Sequence, residues 1–371
     1  MTTPVDGRFS LPVLGKKKRH TWLEEARNAV TTLEAMERQL ELTPSEREGA
    51  RRALASGFPM AITPYYLSLC DRRDPSCPIR RQCVPRAEEA LEVPGDLRDP
   101  LGEEAHTVAP ELFQRYPDRA LLVVTDRCSV YCRFCTRSRM VGQDGGARSV
   151  ERLRPAVAWL RAHPAVRDVI VSGGDPLVMS TARLVRVLSM VREVPSVETV
   201  RLATRAPVVL PSRVTPGLCR ALRRFNPLWV MTHFNHPKEL TEASRRACEL
   251  LADHGLPVMN QTVLLRGVND DPSTLEALFR GLVRVRVRPY YLLQADPVRG
   301  TGHLRTPLAT GLAVMEALQG RLTGIALPKF IVDTPGGLGK VPLLPDYVVS
   351  RAPGATTLRT FRGETVTYLD P

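Results

Sequence analysis

The sequence predicts an α/β protein built around a parallel sheet. Three observations predict it. Short β-branched and apolar runs recur from residue 121 onward, helical apolar periodicity fills most gaps between them, and chemically unusual motifs follow directly after several runs. The runs are 121–125, 168–172, 198–203, 228–233, 258–264 and 286–294, each as rich in large apolar or β-branched residues as strands are. The helical patterns between them are 149–162, 181–194, 237–254 and 272–283. That makes six βα units, spaced about 30 residues apart after a longer first gap. Such alternation argues for parallel strands joined by right-handed crossovers. Periodicity alone leaves a partial barrel and an open doubly wound sheet both standing. In a barrel the chemistry gathers at the C-terminal ends of the strands, where several of the motifs fall.

Upstream, residues 1–20 mix Pro, Gly and basic residues and read as a tail with little order. Trp22, Leu23, Ala26, Val30, Leu33, Met36 and Leu40 have helical spacing, so 21–40 is expected to be helical. Thr43-Pro44-Ser45-Glu46 has the form of a capping box with Pro at the first helical position, opening a second helix to about Ser56. Pro59 and Pro64 end that region, and 70–110, rich in Pro, Asp and Arg, is expected to hold loops and short turns. Near the C-terminus, 328–350 opens with Pro328 and Lys329, runs through Phe330, Ile331 and Val332 to Asp333, and enters a Gly-rich turn. It is expected to lie across the mouth of the sheet.

The 371 residues are enough to bury a core without disulfide staples, and 43% hydrophobic with 25% charged residues is an ordinary globular mix. Collagen-like, mucin-like and wholly disordered chains are excluded. No apolar run reaches the ~18 residues of a membrane span, and no apolar signal core follows Lys16, Lys17, Lys18 and Arg19. A cytoplasmic protein without a membrane partner is expected. Lys and Arg total 52 against 39 Asp and Glu, a net charge of +13. The excess is spread along the chain and is mostly Arg, while aromatics are only 5%. That pattern favours sites for phosphate and carboxylate groups over a nucleic-acid partner.

Eight cysteines in such a chain are not a disulfide framework, and three of them crowd into eight residues. The first βα turn reads Thr125-Asp126-Arg127-Cys128-Ser129-Val130-Tyr131-Cys132-Arg133-Phe134-Cys135-Thr136-Arg137, a C-x3-C-x2-C spacing. Zinc sites usually close with four ligands, and no fourth Cys or His lies at such spacing nearby. Three thiolates on a short loop hold three irons of a four-iron cluster and leave the fourth iron to an outside ligand. A radical S-adenosylmethionine (SAM) enzyme uses that arrangement: the SAM amino and carboxylate groups bind the open iron.

Residues 128–139 closely resemble the cluster loop of the lysine 2,3-aminomutase family. The resemblance runs over roughly 20–370 and includes Tyr65-Tyr66-Leu67-Ser68-Leu69, Arg115-Tyr116-Pro117-Asp118-Arg119, Ser172-Gly173-Gly174-Asp175, Thr232-His233-Phe234-Asn235-His236, Arg286-Val287-Arg288-Pro289-Tyr290-Tyr291 and Asp333-Thr334-Pro335-Gly336-Gly337-Leu338-Gly339-Lys340. It implies a partial (β/α)6 barrel of the radical SAM type with a helical N-terminal extension. The expected divisions are 1–110 for tail and extension, 111–300 for the barrel, and 301–371 for a C-terminal segment. The implied activity is a pyridoxal phosphate (PLP)-dependent 2,3-aminomutase that moves an α-amino group to the β-carbon of a basic L-amino acid. Lysine leads and arginine is the competitor.

The same resemblance assigns residues. Cys128, Cys132 and Cys135 become ligands of a [4Fe-4S] cluster. Ser172, Gly173, Gly174, Asp175, His233 and Gln261 become SAM contacts. Glycines after a strand also let backbone approach a ligand closely. Lys340 becomes the lysine that takes PLP, with Arg115, Tyr116 and Arg119 as neighbours of that cofactor; Arg is well suited to phosphate. A phosphate-loop reading of the same turn fails, because residue 334 is Thr and Val341 follows the Lys. Arg137 becomes the partner of the substrate α-carboxylate. Asp296 and Asp333 become the pair that holds a distal cation, which is costly to bury unpaired. Relatives acting on glutamate replace that pair, and a protein-modifying relative lacks the second Asp.

Two departures from the family stand out. Phe134 stands where typical lysine enzymes carry His. No Cys follows Cys248, and Asp271 stands where longer members carry a zinc-binding Cys, so no structural zinc is expected and a homo-oligomer stays open. Cys70, Cys77 and Cys83 have long, Pro-interrupted spacings and read as buried or free thiols. An external electron donor such as flavodoxin or ferredoxin is implied. Two readings of other classes are a PLP-independent radical SAM enzyme acting on RNA or protein, and a non-catalytic iron–sulfur sensor. Lys340 discriminates the first and SAM cleavage the second.

Overall fold

A computed structural model of the chain describes residues 21–55, 59–143 and 145–371. Ten strands make one sheet in strict sequence order: β1 (Thr107–Ala109), β2 (Leu112–Tyr116), β3 (Arg119–Thr125), β4 (Asp168–Gly173), β5 (Thr199–Ala203), β6 (Leu228–Thr232), β7 (Val258–Leu264), β8 (Val287–Gln294), β9 (Lys329–Thr334) and β10 (Gly339–Leu343). β3 to β9 run parallel, while β1 and β2 at one end and β10 at the other are antiparallel. A doubly wound sheet reverses its strand order at a switch point, and this one does not. Its two ends instead approach each other. The Lys340 backbone N–H on β10 donates to the Tyr116 hydroxyl on β2 at 2.9 Å, and Arg115 bonds Asp333 at 3.0 Å. The sheet curls into a partial barrel whose ends meet through side chains.

All six strands expected from the apolar runs are present, and a helix follows each: Val150–Ala162, Thr181–Arg192, Pro216–Arg223, Glu242–Asp253, Pro272–Arg284 and Leu308–Leu318. Caps set five of the helix starts. Ser149, Ser180, Thr215, Thr241 and Asp271 each accept a backbone N–H from the first turn. The third helix has no counterpart in the sequence patterns, because it is short and its approach is broken by Pro207, Pro211 and Pro216. The core lies between strand and helix faces, with Val169, Val171, Val200 and Leu202 packed in one cluster with Leu160, Leu184, Leu188, Leu222 and Leu278.

Three expectations need correction. Segment 328–350 does not simply cross the mouth: β9 extends the parallel sheet beside β8, because Phe330 and Ile331 are buried in it, and β10 returns antiparallel. The 21–40 helix is two short ones, Trp22–Arg27 and Leu33–Glu37. Val30 between them exchanges both backbone bonds with Ile62 (2.8 and 3.0 Å), and Thr32 caps a new start. The 70–110 stretch holds a helical turn at Arg80–Cys83 and the edge strand β1 among its loops. The helix Pro44–Ala55 is as expected, but its Glu46 does more than cap. Glu46 accepts the Thr43 N–H at 2.8 Å and also pairs with Arg80 at 2.7 Å, both side chains fully buried. The tail expected at 1–20 lies outside the described residues. A separate three-stranded sheet, β11 (Val348–Ala352), β12 (Ala355–Arg359) and β13 (Thr365–Leu369), closes the chain. Among the described residues no helix is long and apolar enough to cross a membrane.

Candidate active site

The cysteine loop leaves the C-terminal end of β3 and is held from outside the barrel. The Tyr131 N–H donates to the Ala61 carbonyl at 3.1 Å and the Arg133 N–H to the Gln82 carbonyl at 2.9 Å, so the N-terminal extension fixes its course. Cys128, Cys132 and Cys135 are all free and half-buried. Burial, reinforced by the neighbouring thiols, pushes Cys128 well up and Cys135 up to about 11. Raised thiols such as Cys128 and Cys135 give up their protons most readily to a metal, which suits a metal cluster. Among the described residues no three His, Cys, Asp or Glu side chains converge on one ion position. A four-iron cluster asks for something else, one iron per thiolate.

The glycine motif at the end of β4 faces the loop itself. A Cβ on Gly173 would lie 2.3 Å from the Thr125 carbonyl oxygen, and one on Gly174 2.3 Å from that of Arg127. The Gly174 and Asp175 N–H groups donate to those same carbonyls at 2.7 and 2.8 Å. The close approach expected toward a ligand is therefore, first, an approach to the cluster loop's backbone. The Asp175 carboxylate is fully engaged: it accepts from Leu177 N–H, the Thr204 hydroxyl and Arg205 N–H at 2.9, 2.6 and 2.8 Å. It braces the turn after β5, while Ser172 beside it opens onto a cavity. His233, after β6, lies with its ring 5.4 Å from that of Phe134. Burial and the Arg205 charge push His233 down to about 3, so its imidazole is neutral.

The cavity, of about 400 Å³, gathers the remaining candidates: Arg115, Tyr116, Arg119, Arg137, Gln261, Asp296, Asp333 and Lys340 all line it. The β9–β10 register sets Lys340 directly opposite Asp333. Asp333 receives the Lys340 ammonium and, at 3.0 and 3.2 Å, the Arg115 guanidinium. Arg119 stacks on the Tyr116 ring at 3.8 Å. Burial pushes the Asp296 carboxyl up to about 7, helped by the Asp333 charge and opposed by Lys340, Arg115 and Arg137. Arg137 is held by Glu103 at 2.6–2.8 Å.

Residues 122–278 match the radical SAM superfamily, and residues 315–371 match lysine-2,3-aminomutase. The L-lysine 2,3-aminomutase of Clostridium subterminale is 47% identical over 350 residues, covering 94% of this chain and 84% of that protein. This chain belongs to the lysine 2,3-aminomutase family. The L-lysine 2,3-aminomutase of Bacillus subtilis is 44% identical, covering 96% of this chain and 75% of that one. The glutamate 2,3-aminomutase of Clostridioides difficile is 40% identical, covering 92% and 81%. Family membership makes the chain a radical SAM 2,3-aminomutase, an isomerase that employs a [4Fe-4S] cluster and SAM and acts on an amino acid.

Within this aminomutase family site, three features are given no role by the sequence patterns. Glu103, on a Pro- and Gly-containing loop, carries no motif, yet it neutralises Arg137. Tyr290 and Tyr291 stack at 3.8 Å and join hydroxyls at 2.8 Å on the cavity wall; the sequence places them in a motif of the family resemblance but assigns them no role. Arg205 donates to Cys132 Sγ at 2.7 Å from a turn with no signature. Asp271 is the cap of Pro272–Arg284, accepting the Thr274 N–H at 2.8 Å. Cys70, Cys77 and Cys83 are free, with Cys70 and Cys83 sulfurs 3.8 Å apart.

Proposed function

We propose that the chain moves the α-amino group of L-lysine to the β-carbon, giving β-lysine, with PLP held at Lys340. The observation that carries the substrate is the cavity's charge layout: Asp296 and Asp333 share it with Arg137. Two carboxylates suit a cationic side chain and a guanidinium suits an α-carboxylate. The names of the relatives at 44–47% identity support the same reading.

Cys128, Cys132 and Cys135 would hold the cluster, and Ser172, His233 and Gln261 would stand on the SAM side. Arg115, Tyr116 and Arg119 would surround PLP. Together the cluster, SAM and PLP supply one-electron chemistry at an unactivated carbon and a π-system over which nitrogen migrates. The chain's residues do the rest. Tyr116 fixes the backbone that carries Lys340, and Asp333 holds Lys340 Nζ in place through their ion pair. Arg137 exchanges Glu103 for the α-carboxylate. The distal ammonium favours the ionised form of Asp296, since a cation offsets the burial that raises its carboxyl. The buried cavity wall excludes water around the radical step. A low-potential one-electron carrier such as flavodoxin or ferredoxin would reduce the cluster.

Anaerobic protein reconstituted with iron, sulfide, PLP and SAM, then reduced and given lysine and arginine separately, tests the reading by mass spectrometry of the amino acids. β-Lysine is the expected product. β-Arginine would keep the aminomutase and reassign the pocket, and SAM cleavage with neither product would overturn the substrate role of Asp296 and Asp333.

A further inference from the structure

Arg205 lies outside the Lys340 cavity, on the turn after β5, and no step above uses it. It is 8% exposed, and its three guanidinium nitrogens are all engaged. Nη1 donates to Cys132 Sγ at 2.7 Å and Nε to the His233 carbonyl at 3.2 Å. Nη2 donates to the Tyr66 hydroxyl, Gln82 Oε1 and Glu239 Oε1 at 2.9, 2.6 and 2.8 Å. The Phe134 and Tyr66 rings lie 5.4 and 5.2 Å from its centre. Asp175 grips its backbone N–H. Glu239 is fully buried, and its other oxygen accepts the Asn235 and His236 N–H groups at 2.6 and 2.9 Å. The extension, the turns after β5 and β6, and the cysteine loop thus meet on one cation–anion pair.

We propose that Arg205 is a positioning residue that sets the reduction potential of the cluster, with Glu239 as its opposing charge. The inference rests on the family's [4Fe-4S] cluster at Cys128, Cys132 and Cys135. On reduction the cluster gains one electron from an external low-potential donor, and its added negative charge spreads onto the ligand sulfurs. A guanidinium N–H aimed at Cys132 Sγ stabilises that reduced state more than the oxidised one. The buried Glu239 carboxylate, on the far side of the guanidinium, acts in the opposite sense but from farther away. In a low-dielectric interior both effects reach the cluster with little screening.

The two charges therefore predict potential shifts of opposite sign, which a purely structural role does not. The experiment is an anaerobic redox titration of the reconstituted cluster, followed by electron paramagnetic resonance without substrate. It compares the parent, Glu239→Gln and the double variant Arg205→Met/Glu239→Gln, which leaves no buried charge unpaired. Iron and sulfide content normalise each sample. Glu239→Gln should raise the reduction equilibrium about tenfold, or 59 mV for one electron. Adding Arg205→Met to that background should lower it by at least as much. Equal potentials in all three loaded proteins, or a fall in Glu239→Gln, would overturn the proposal. So would weakened SAM binding in the double variant at unchanged potential, which would make Arg205 a cosubstrate ligand instead. A parent that takes up no four-iron cluster would defeat the cluster reading itself as well.

Discussion

Asp333 carries two cations at once, Arg115 and Lys340, while its neighbour Asp296 stays near neutrality in a buried wall. The pair is thus unequally charged before substrate arrives, and the arriving ammonium has most to gain at Asp296. Asp296→Asn should lower kcat/KM for lysine by about 10²–10⁴-fold, the equivalent of the ~3–5 kcal/mol lost when one partner of a buried ion pair is removed. Steady-state kinetics checks it. The same carboxyl gives a pH signature. Its folded value is raised from 3.8 to about 7, so the stability it contributes is full below 3.8 and is lost as pH rises through 7. Cation binding needs the opposite, ionised form, so lysine affinity should climb through pH 7 while the ligand-free protein softens. Isothermal titration and thermal melts across that range read both, and Asp296→Asn should flatten both. Lys340→Ala should abolish the absorbance gained on adding PLP and leave iron content unchanged. The places of Lys340, Arg137 and Asp333 in the cavity were open to sequence reasoning because each sits in a recognisable motif, and that of Asp296 because it follows the sixth strand. Glu103 and Arg205 were not, because an acid and an Arg on irregular turns look like any surface charge until folding buries them.

Elements act on the site through backbone proximity. The β4 glycines let the cluster loop lie against the strand end, with no room for a side chain. Gly174→Ala places its Cβ 2.3 Å from the Arg127 carbonyl oxygen, a backbone atom with little freedom to yield. It should cut iron uptake several-fold while circular dichroism stays native. The β9–β10 hairpin fixes Lys340 against Asp333 by register, and a one-residue slip would turn Lys340 away from the cavity. The strand runs and four of the helices were legible because period-2 and period-3.6 patterns are local. The third helix and the break at Val30 were not, since proline-rich spacing hides the first and a long-range bridge to Ile62 causes the second.

At the scale of the molecule, the extension is part of the site. Its Gln82 carbonyl holds the cysteine loop, and the buried Glu46–Arg80 pair two residues away holds the extension. Glu46→Gln leaves the Arg80 cation buried without its counter-charge, which should cost ~3–5 kcal/mol in denaturant unfolding. Cluster loading should fall with it. The chain's local patterns determined the βα alternation, the thiol spacing and the kinship of its motifs, because periodicity, spacing and turn chemistry are written in neighbouring residues. Only the tertiary structure decided that the sheet curls until β2 meets β10, that Lys340 and Arg115 share Asp333, that Asp175 serves a turn, and that Arg205 reaches Cys132. Apart from Lys340 with Asp333, seven positions away, those pairings join residues from 29 to 224 positions apart, and only burial of both partners in one low-dielectric interior makes their charges answer to each other.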